Sequence, residues 1–409
     1  MMVSLELNPF TTLLNIDDKG FFFISPKPKF GLLNLLILNS EYPHLYELFL
    51  DLSKVRIDFL DIENDLNDEE RELLYEYGVL VEADKIPNKP LFACQLSEVE
   101  TAAGYKTDSV IVNPSFRFEP LNLGNFNAFV QGNNLLPYQP SVWIKTLFTE
   151  IEIGYWLSEK ETQTVSRLQA GEKLNFEIEK DLLNKLLEAE ILISPESIEQ
   201  KKSEYFQQFQ QIKDEFKQNK YAVLRKLLPS AQMKAMRNYY REYVRNGFMP
   251  FSDNQVKRRY YQHNEPLAKF LHGNLTKIMS LAAGEEVKPS YVYAASYEED
   301  AVLTPHTDRP QCEFSFSFQV DYYPEAENHL SPWGLFVAEP EADLSEENLN
   351  FPAENEIEDK NTAVYLASGD ALAYKGCELI HYRYALPKGH KSTSLFFHYV
   401  PVNFEGELR

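Results

Sequence analysis

Residues 290–308 read SYVYAASYEEDAVLTPHTD. The first eight are aromatic, small and β-branched, the texture of a strand, and alternation puts Tyr291, Tyr293 and Tyr297 on one face. Working outward, further short runs follow: CEFSFSFQVDYY from 312, WGLFVAE from 333, TAVYLAS from 362, DALAYKG from 370 and STSLFFHYV from 392. Many short strands separated by turn residues predict a sandwich or barrel. Residues 339–359 carry nine acidic and no basic side chains, which predicts an exposed loop inserted between strands. Upstream, EYFQQFQQIKDEFKQN from 204, SAQMKAMRNYYREYVRNG from 230 and EPLAKFLHGNLTKIMSLAAG from 265 have helical patterning. Ser230 is a credible N-cap, and Gly247 and Gly284 are expected stops. Helices followed by strands predict an α+β domain with helices on one side of an antiparallel core.

The opening stretch ends on His306-Thr307-Asp308. By itself, His-x-Asp reads as a surface pair in a turn after Pro305, since the pattern arises often by chance. On an extended strand, however, positions i and i+2 project to the same side, so His306 and Asp308 can converge. A second strand laid alongside can bring His381 to the same point. Two imidazoles and one carboxylate on one face of a metal leave about three positions open, the geometry of non-haem Fe(II) oxygenases. A closed tetrahedral zinc site would leave no such vacancies.

The order and spacing of HTD, GDALAYKGCELIHYR from 369 and HKSTSLFFHYV from 390 resemble the iron- and 2-oxoglutarate-dependent dioxygenases, particularly the prolyl-4-hydroxylase-like branch. The resemblance covers about 209–409. It implies a double-stranded β-helix (jelly-roll or cupin-like) core with flanking helices. It also implies Fe(II) held by His306, Asp308 and His381, consuming 2-oxoglutarate and dioxygen to hydroxylate or desaturate a C–H bond. In this family a basic residue about ten positions after the distal histidine holds the far carboxylate of 2-oxoglutarate. Lys391 stands there, with Thr393 two further on, and the spacing favours it over Arg383, whose planar fork is the competing clamp. Tyr297 fills the place of a tyrosine that contacts the co-substrate. Where relatives carry another tyrosine, this chain has Phe318, and Ser315 with Ser317 could substitute. The retained carboxylate of Asp308 argues against halogenation. Of the other histidines, His398 reads as core or surface. Trp333 and Glu378 are candidates for the pocket wall.

The front half holds two related stretches, 44–82 and 157–194, each an apolar run, an acidic leucine-bearing helix and a short closing strand. In the second, Leu182, Leu183, Leu186, Leu187 and Ile191 make one helical stripe. In the first, Asp65 followed by Asp68 and Glu69 supplies an expected helix start. Both resemble small winged-helix modules with which peptide-modifying enzymes capture a leader peptide; a scaffold or dimerisation role competes. The predicted organisation is a recognition or scaffold region over 1–195, with repeats at 1–90 and 140–195, and an oxygenase domain over 204–409. Within the latter, helices span 204–285 and the β-core 288–403. The polar, proline-bearing 193–203 reads as a hinge.

Composition narrows the classes. With 409 residues, 44% apolar and 13% aromatic, the chain can bury real cores. Cys94, Cys312 and Cys377 form no CxxC pair, which argues against a disulfide scaffold or cysteine-built zinc site. No secretory signal or membrane-length apolar run is evident, so a cytoplasmic protein is expected. Net charge is −22, split as 16 basic against 33 acidic residues over 1–200 and 24 against 29 over 201–409. That balance argues against nucleic-acid binding. The basic stretch 213–259 reads as a solvated helical face. Motifs of serine hydrolases, zinc proteases, P-loops and dinucleotide folds are absent. The expected substrate is a peptide or protein side chain. The competing readings are a free amino acid or small natural product, or a peptide-binding module without activity; a homodimer is left open.

Overall fold

In the computed structural model the residues described are 5–8, 11–16, 19–27, 31–54, 65–82, 92, 94–96, 110–119, 141–245, 249–326, 329–338 and 361–408. The acidic stretch 339–359 and Gly247 lie outside them.

The chain opens with β1 (Leu5–Leu7), β2 (Thr12–Ile16), β3 (Gly20–Lys27), β4 (Gly31–Leu38), α1 (Pro43–Lys54), α2 (Asp68–Glu76) and β5 (Leu80–Glu82). After β6 (Cys94–Gln95) come β7 (Ile111–Val112), β8 (Arg117–Glu119), β9 (Ser141–Lys145), β10 (Glu152–Trp156), α3 (Glu159–Val165), α4 (Lys180–Glu188) and β11 (Leu192–Ile193). The two blocks share one connectivity. In each, the first strand pairs antiparallel with the last, β1 with β5 and β7 with β11. The middle strands make the antiparallel meanders β2-β3-β4 and β8-β9-β10.

Even the closing hydrogen bonds correspond. The Asn8 N–H donates to Val79 O and its Nδ2 to Gly78 O, at 2.8 and 3.0 Å. Asn113 does the same to Ile191 O and Glu190 O, both at 2.9 Å. Gly78 and Glu190 both take positive φ, which ends the preceding helix. The first such helix starts at Asn67, whose side chain and that of Glu70 form a capping box, rather than at the expected Asp65.

Helix α5 (Pro195–Asn219), β12 (Tyr221–Leu224), α6 (Ser230–Arg245), β13 (Arg259–His263) and α7 (Pro266–Ala283) follow. The expected hinge at 193–203 is instead the first turns of the 25-residue α5. Pro195 occupies the start of that helix, where its fixed φ and missing N–H cost nothing. Helix α7 stops at Gly284 (φ 75°). At its other end, buried Glu265 accepts from the N–H groups of Leu267 and Ala268 and from Tyr239 and Tyr240 Oη at 2.5 and 2.6 Å. That carboxylate ties α6 to α7.

The C-terminal strands are β14 (Val287–Tyr297), β15 (Leu303–His306), β16 (Phe314–Tyr323), β17 (Leu335–Ala338), β18 (Thr362–Val364), β19 (Ala371–Lys375), β20 (Ile380–Arg383) and β21 (Lys391–Pro401). They form a six-stranded antiparallel sheet, β12-β19-β16-β21-β14-β13, and a four-stranded one, β15-β20-β17-β18. Strands cross between the two sheets at nearly every step, the order of a jelly roll. On one face of the large sheet, Phe316, Phe318, Leu395 and Phe397 share a core with α6, α7 and the second front block. On the other, Tyr293, Tyr297, Tyr374 and Phe396 pack toward Trp333, Leu335 and Val337 of the smaller sheet side. Each large side chain so buried contributes on the order of 1.5–3 kcal/mol.

Candidate functional site

The metal-type donors sit where the smaller sheet begins. His306 ends β15 and lies directly opposite His381 on β20. Asp308 follows in the loop, its N–H held by Gly376 O at 2.8 Å. Asp308 Oδ1 stands 3.6 Å from His381 Nε2 and 4.0 Å from His306 Nε2, and the three donor atoms lie within 4.8 Å of one another. Both imidazoles are oriented from behind. The Nδ1 of His306 lies 2.8 Å from Thr304 O, and that of His381 lies 3.1 Å from Leu379 O. A carbonyl can only accept, so each Nδ1 carries the proton and each Nε2 is left as an acceptor, that of His306 receiving Gln255 Nε2 at 3.0 Å.

Burial sets the electrostatics of the three groups. Burial and the neighbouring His381 push His306 down to about 4, and burial does the same to His381. Burial pushes Asp308 up to about 6. Both imidazoles are thus neutral at pH 7, and for the carboxylate burial outweighs the neighbouring Arg309 charge and the Ser315 hydroxyl. Gly376 makes room for the carboxylate: a Cβ there would collide with Asp308 Oδ2 and with the backbone oxygen of Cys312.

Asp308, Cys312 and His398 also offer donors within 4.8 Å of one another. Burial pushes the Cys312 thiol up to about 12, and His398 Nδ1 is engaged by Ser315 Oγ at 2.8 Å, so this second trio is a poorer ligand set.

Beside the donors lies a buried cation. Arg383 is on β20 two residues after His381 and faces the same way. It is buried, with Cζ 4.5 Å from the Trp333 ring centroid and Nη1 donating to Trp333 O at 2.7 Å. Its Nε has no hydrogen-bond partner, and among the described residues no carboxylate pairs with it. Burial pushes it down to about 10, so it remains charged. Ser317 Oγ and Ser394 Oγ, both buried, are likewise unpartnered. The register pairs Ser317 with Phe396 and Ser394 with Ala295, residues of the inward face. Orphaned buried polar groups of this kind call for a polar occupant.

Lys391 is elsewhere. Its Nζ bonds Glu298 at 2.9 Å and its side chain is 59% exposed. Thr393 Oγ1 bonds Ser296 Oγ at 2.8 Å on the face turned toward the helices, the face of Ala294 and Leu395. Strand parity puts Lys391 and Thr393 together, as expected, but on the outer side of β21. Tyr297 does face inward, edge-on to Trp333 with centroids 5.0 Å apart, and its Oη accepts from Arg259 Nη1 at 3.2 Å. Phe318 lies in the outer core, whereas Ser315 faces inward.

Three contributors escaped the sequence. Arg259, in the stretch read as a solvated face, is buried and pairs with Asp253 at 2.6 Å. It also donates to Gln255 Oε1 at 3.0 Å, and Gln255 Nε2 reaches His306 Nε2 at 3.0 Å. Tyr374, inside GDALAY, stands edge-on to His381 at 4.9 Å. Alternation within β19 could have found Tyr374; nothing local marks Arg259 or Gln255.

No family model matches the chain, and no curated protein matches it. Solved structures do. A Pseudomonas putida prolyl-4-hydroxylase is 12% identical over 47% of this chain and 98% of its own, with a TM-score of 0.34. HygX from Streptomyces hygroscopicus, solved with nickel, 2-oxoglutarate and hygromycin B, is 14% identical over 45% and 84%, at 0.33. A Trichoplax adhaerens prolyl hydroxylase, in complex with a hypoxia inducible factor peptide fragment, is 10% identical over 47% and 89%, at 0.34. The similar structures are consistently iron- and 2-oxoglutarate-dependent oxygenases. At these identities and TM-scores the reading of the site rests on its own side chains. Among the described residues, no helix is long and apolar enough to cross a membrane.

Proposed function

We propose that this protein is an Fe(II)- and 2-oxoglutarate-dependent oxygenase that hydroxylates a C–H bond on a peptide or protein side chain. The observation that carries the reading is the convergence of His306, His381 and Asp308, whose donor atoms lie within 4.8 Å of one another while backbone carbonyls hold both Nδ1 protons. The residues present fit the absent groups. His306, Asp308 and His381 would hold the metal, and Arg383 would take the far carboxylate of the keto acid. Held there, the metal and the keto acid would supply, with dioxygen, the oxidising equivalents for hydroxylation, with succinate and carbon dioxide as the co-products. The chain's own part is to orient the ligands through Thr304 O and Leu379 O, to neutralise the co-substrate with Arg383, and to exclude water with Trp333, Tyr297 and Tyr374. Arg383 is proposed as the clamp over Lys391 because its charge is buried and unpaired, whereas Lys391 is exposed and paired.

In the same reading, 1–195 is a recognition region of two winged-helix-like units ahead of an oxygenase domain at 204–409. Their shared connectivity supports this, although the second unit also packs into the oxygenase-side core. Anaerobic titration with Mn(II), followed by succinate measurement with Fe(II), 2-oxoglutarate and air, tests the proposal. Wild type is expected to bind one Mn(II) and form succinate, and His306→Ala to do neither. Mn(II) binding without any succinate would overturn the oxygenase reading.

A further inference from the structure

The two oxygens of Asp308 have different neighbours. Oδ1 stands 3.6 Å from His381 Nε2 and 4.0 Å from His306 Nε2. Oδ2 has the buried hydroxyl of Ser315 at 3.4 Å and Gly376 against it. Ser315 is the centre of a cross-strand row: β16 sets it opposite His398 on β21 and opposite Tyr374 on β19, whose side chain also meets the hydroxyl.

A serine hydroxyl has one proton to give and two lone pairs. Around Ser315 Oγ, two atoms can only accept: Cys312 O at 3.2 Å and Asp308 Oδ2 at 3.4 Å. His398 Nδ1, at 2.8 Å, can give a proton or take one. An unprotonated Nδ1 would draw the serine proton away from both oxygens. A protonated Nδ1 donates to Ser315 and leaves the serine proton for them, and the ionised carboxylate is the stronger acceptor of the two. His398 is itself held in place. Its carbonyl accepts from His272 Nε2 at 2.7 Å, and its ring centroid lies 4.6 Å from that of Tyr291.

A carboxylate can bind a metal through one oxygen or through both. The difference matters here, because a keto acid and dioxygen together need about three open positions, which remain only if each of the three ligands supplies one atom. We propose that Ser315, directed by His398, is a positioning residue that holds Asp308 Oδ2 and so offers the metal Oδ1 alone. This deepens the metal-site reading and rests on it, but its measurement is separate from turnover.

The probe is Mn(II) alone, titrated into the full-length protein and followed by water-proton relaxation, which reports the solvent positions left on the bound ion. Wild type is expected to keep about three and Ser315→Ala to lose one of them, so that relaxivity per bound ion falls by about a third. Ser315→Thr keeps the hydroxyl and should restore the wild-type value. His398→Phe keeps a ring beside Tyr291 without Nδ1 and should match Ser315→Ala. The alanine variant removes a single buried atom and needs no new space, so it decides the matter if either larger side chain prevents folding. Cys312→Ala, which removes a donor of the neighbouring trio, should leave relaxivity unchanged. With Fe(II), 2-oxoglutarate and air, Ser315→Ala should lower kcat for succinate at least about tenfold and keep the 2-oxoglutarate KM within about twofold. A merely structural serine would weaken Mn(II) binding without altering the solvent positions on the ion that does bind. Equal relaxivity of wild type and Ser315→Ala would therefore overturn the proposal. So would a change in Cys312→Ala, which would move the ion into the neighbouring trio. The expected relaxivity pattern in a protein that forms no succinate would support the positioning role and sink the oxygenase reading alone.

Discussion

The two faces of the six-stranded sheet are made by the same strands and have opposite chemistry. The outer face, with Phe316, Phe318, Leu395 and Phe397, is apolar and closed over by helices. The inner face mixes aromatic rings with Ser317 and Ser394, and looks onto Arg383 and the histidines of the smaller sheet. Orphaned hydroxyls and a buried, unpaired guanidinium cost stability. The outer face stabilises the sheet, and the inner face holds polar atoms with no partner among the described residues. This difference locates a site more firmly than any single residue does.

If the outer face is purely structural, Phe397→Ala should lower stability by about 3–5 kcal/mol in denaturant melts while leaving the 2-oxoglutarate KM unchanged. A changed KM at constant fold would erase the distinction between the faces. On the inner face, Arg383→Ala should raise that KM by about 3 kcal/mol, roughly 150-fold, against less than about twofold for Lys391→Ala. The reverse ranking would return the clamp to the outer side of β21. Gly376→Ala, whose new methyl would meet Asp308, should weaken Mn(II) binding by about 10- to 100-fold with the fold retained. Unaltered affinity would show that Asp308 does not need its present position.

The smallest effect expected is that of pH. Metal binding needs neutral imidazoles and an ionised carboxylate. With Asp308 at about 6 and both histidines at about 4, the site is ready above pH 6. Between pH 6 and 4 the metal must displace one proton, so Mn(II) affinity should fall about tenfold per pH unit. A flat profile down to pH 5 would mean that Asp308 titrates lower, Arg309 and Ser315 outweighing its burial.

Much of the β-core was legible. Period-two runs mark β14, β16, β19 and β21, and the i, i+2 spacing of His306 and Asp308 anticipates their convergence. The choice of clamp was not legible. Counting ten residues from His381 reaches Lys391, but which face of β21 looks inward depends on its register with β14 and β16. A strand's parity says which residues go together and leaves open which way they go. The same limit applies at 193–203, where polar composition concealed a helix start whose support comes from packing elsewhere.

Local pattern alone marked the strand runs at β14, β16, β19 and β21 and the helices α6 and α7, and put His306 and Asp308 two positions apart. These are properties of short-range sterics and periodicity. Tertiary structure decided that Arg383 is buried beside the histidines, that Lys391 turns to solvent, and that Arg259 holds Gln255 where it reaches His306. Each of these depends on contacts between residues far apart in the chain, whose free energy no local window contains.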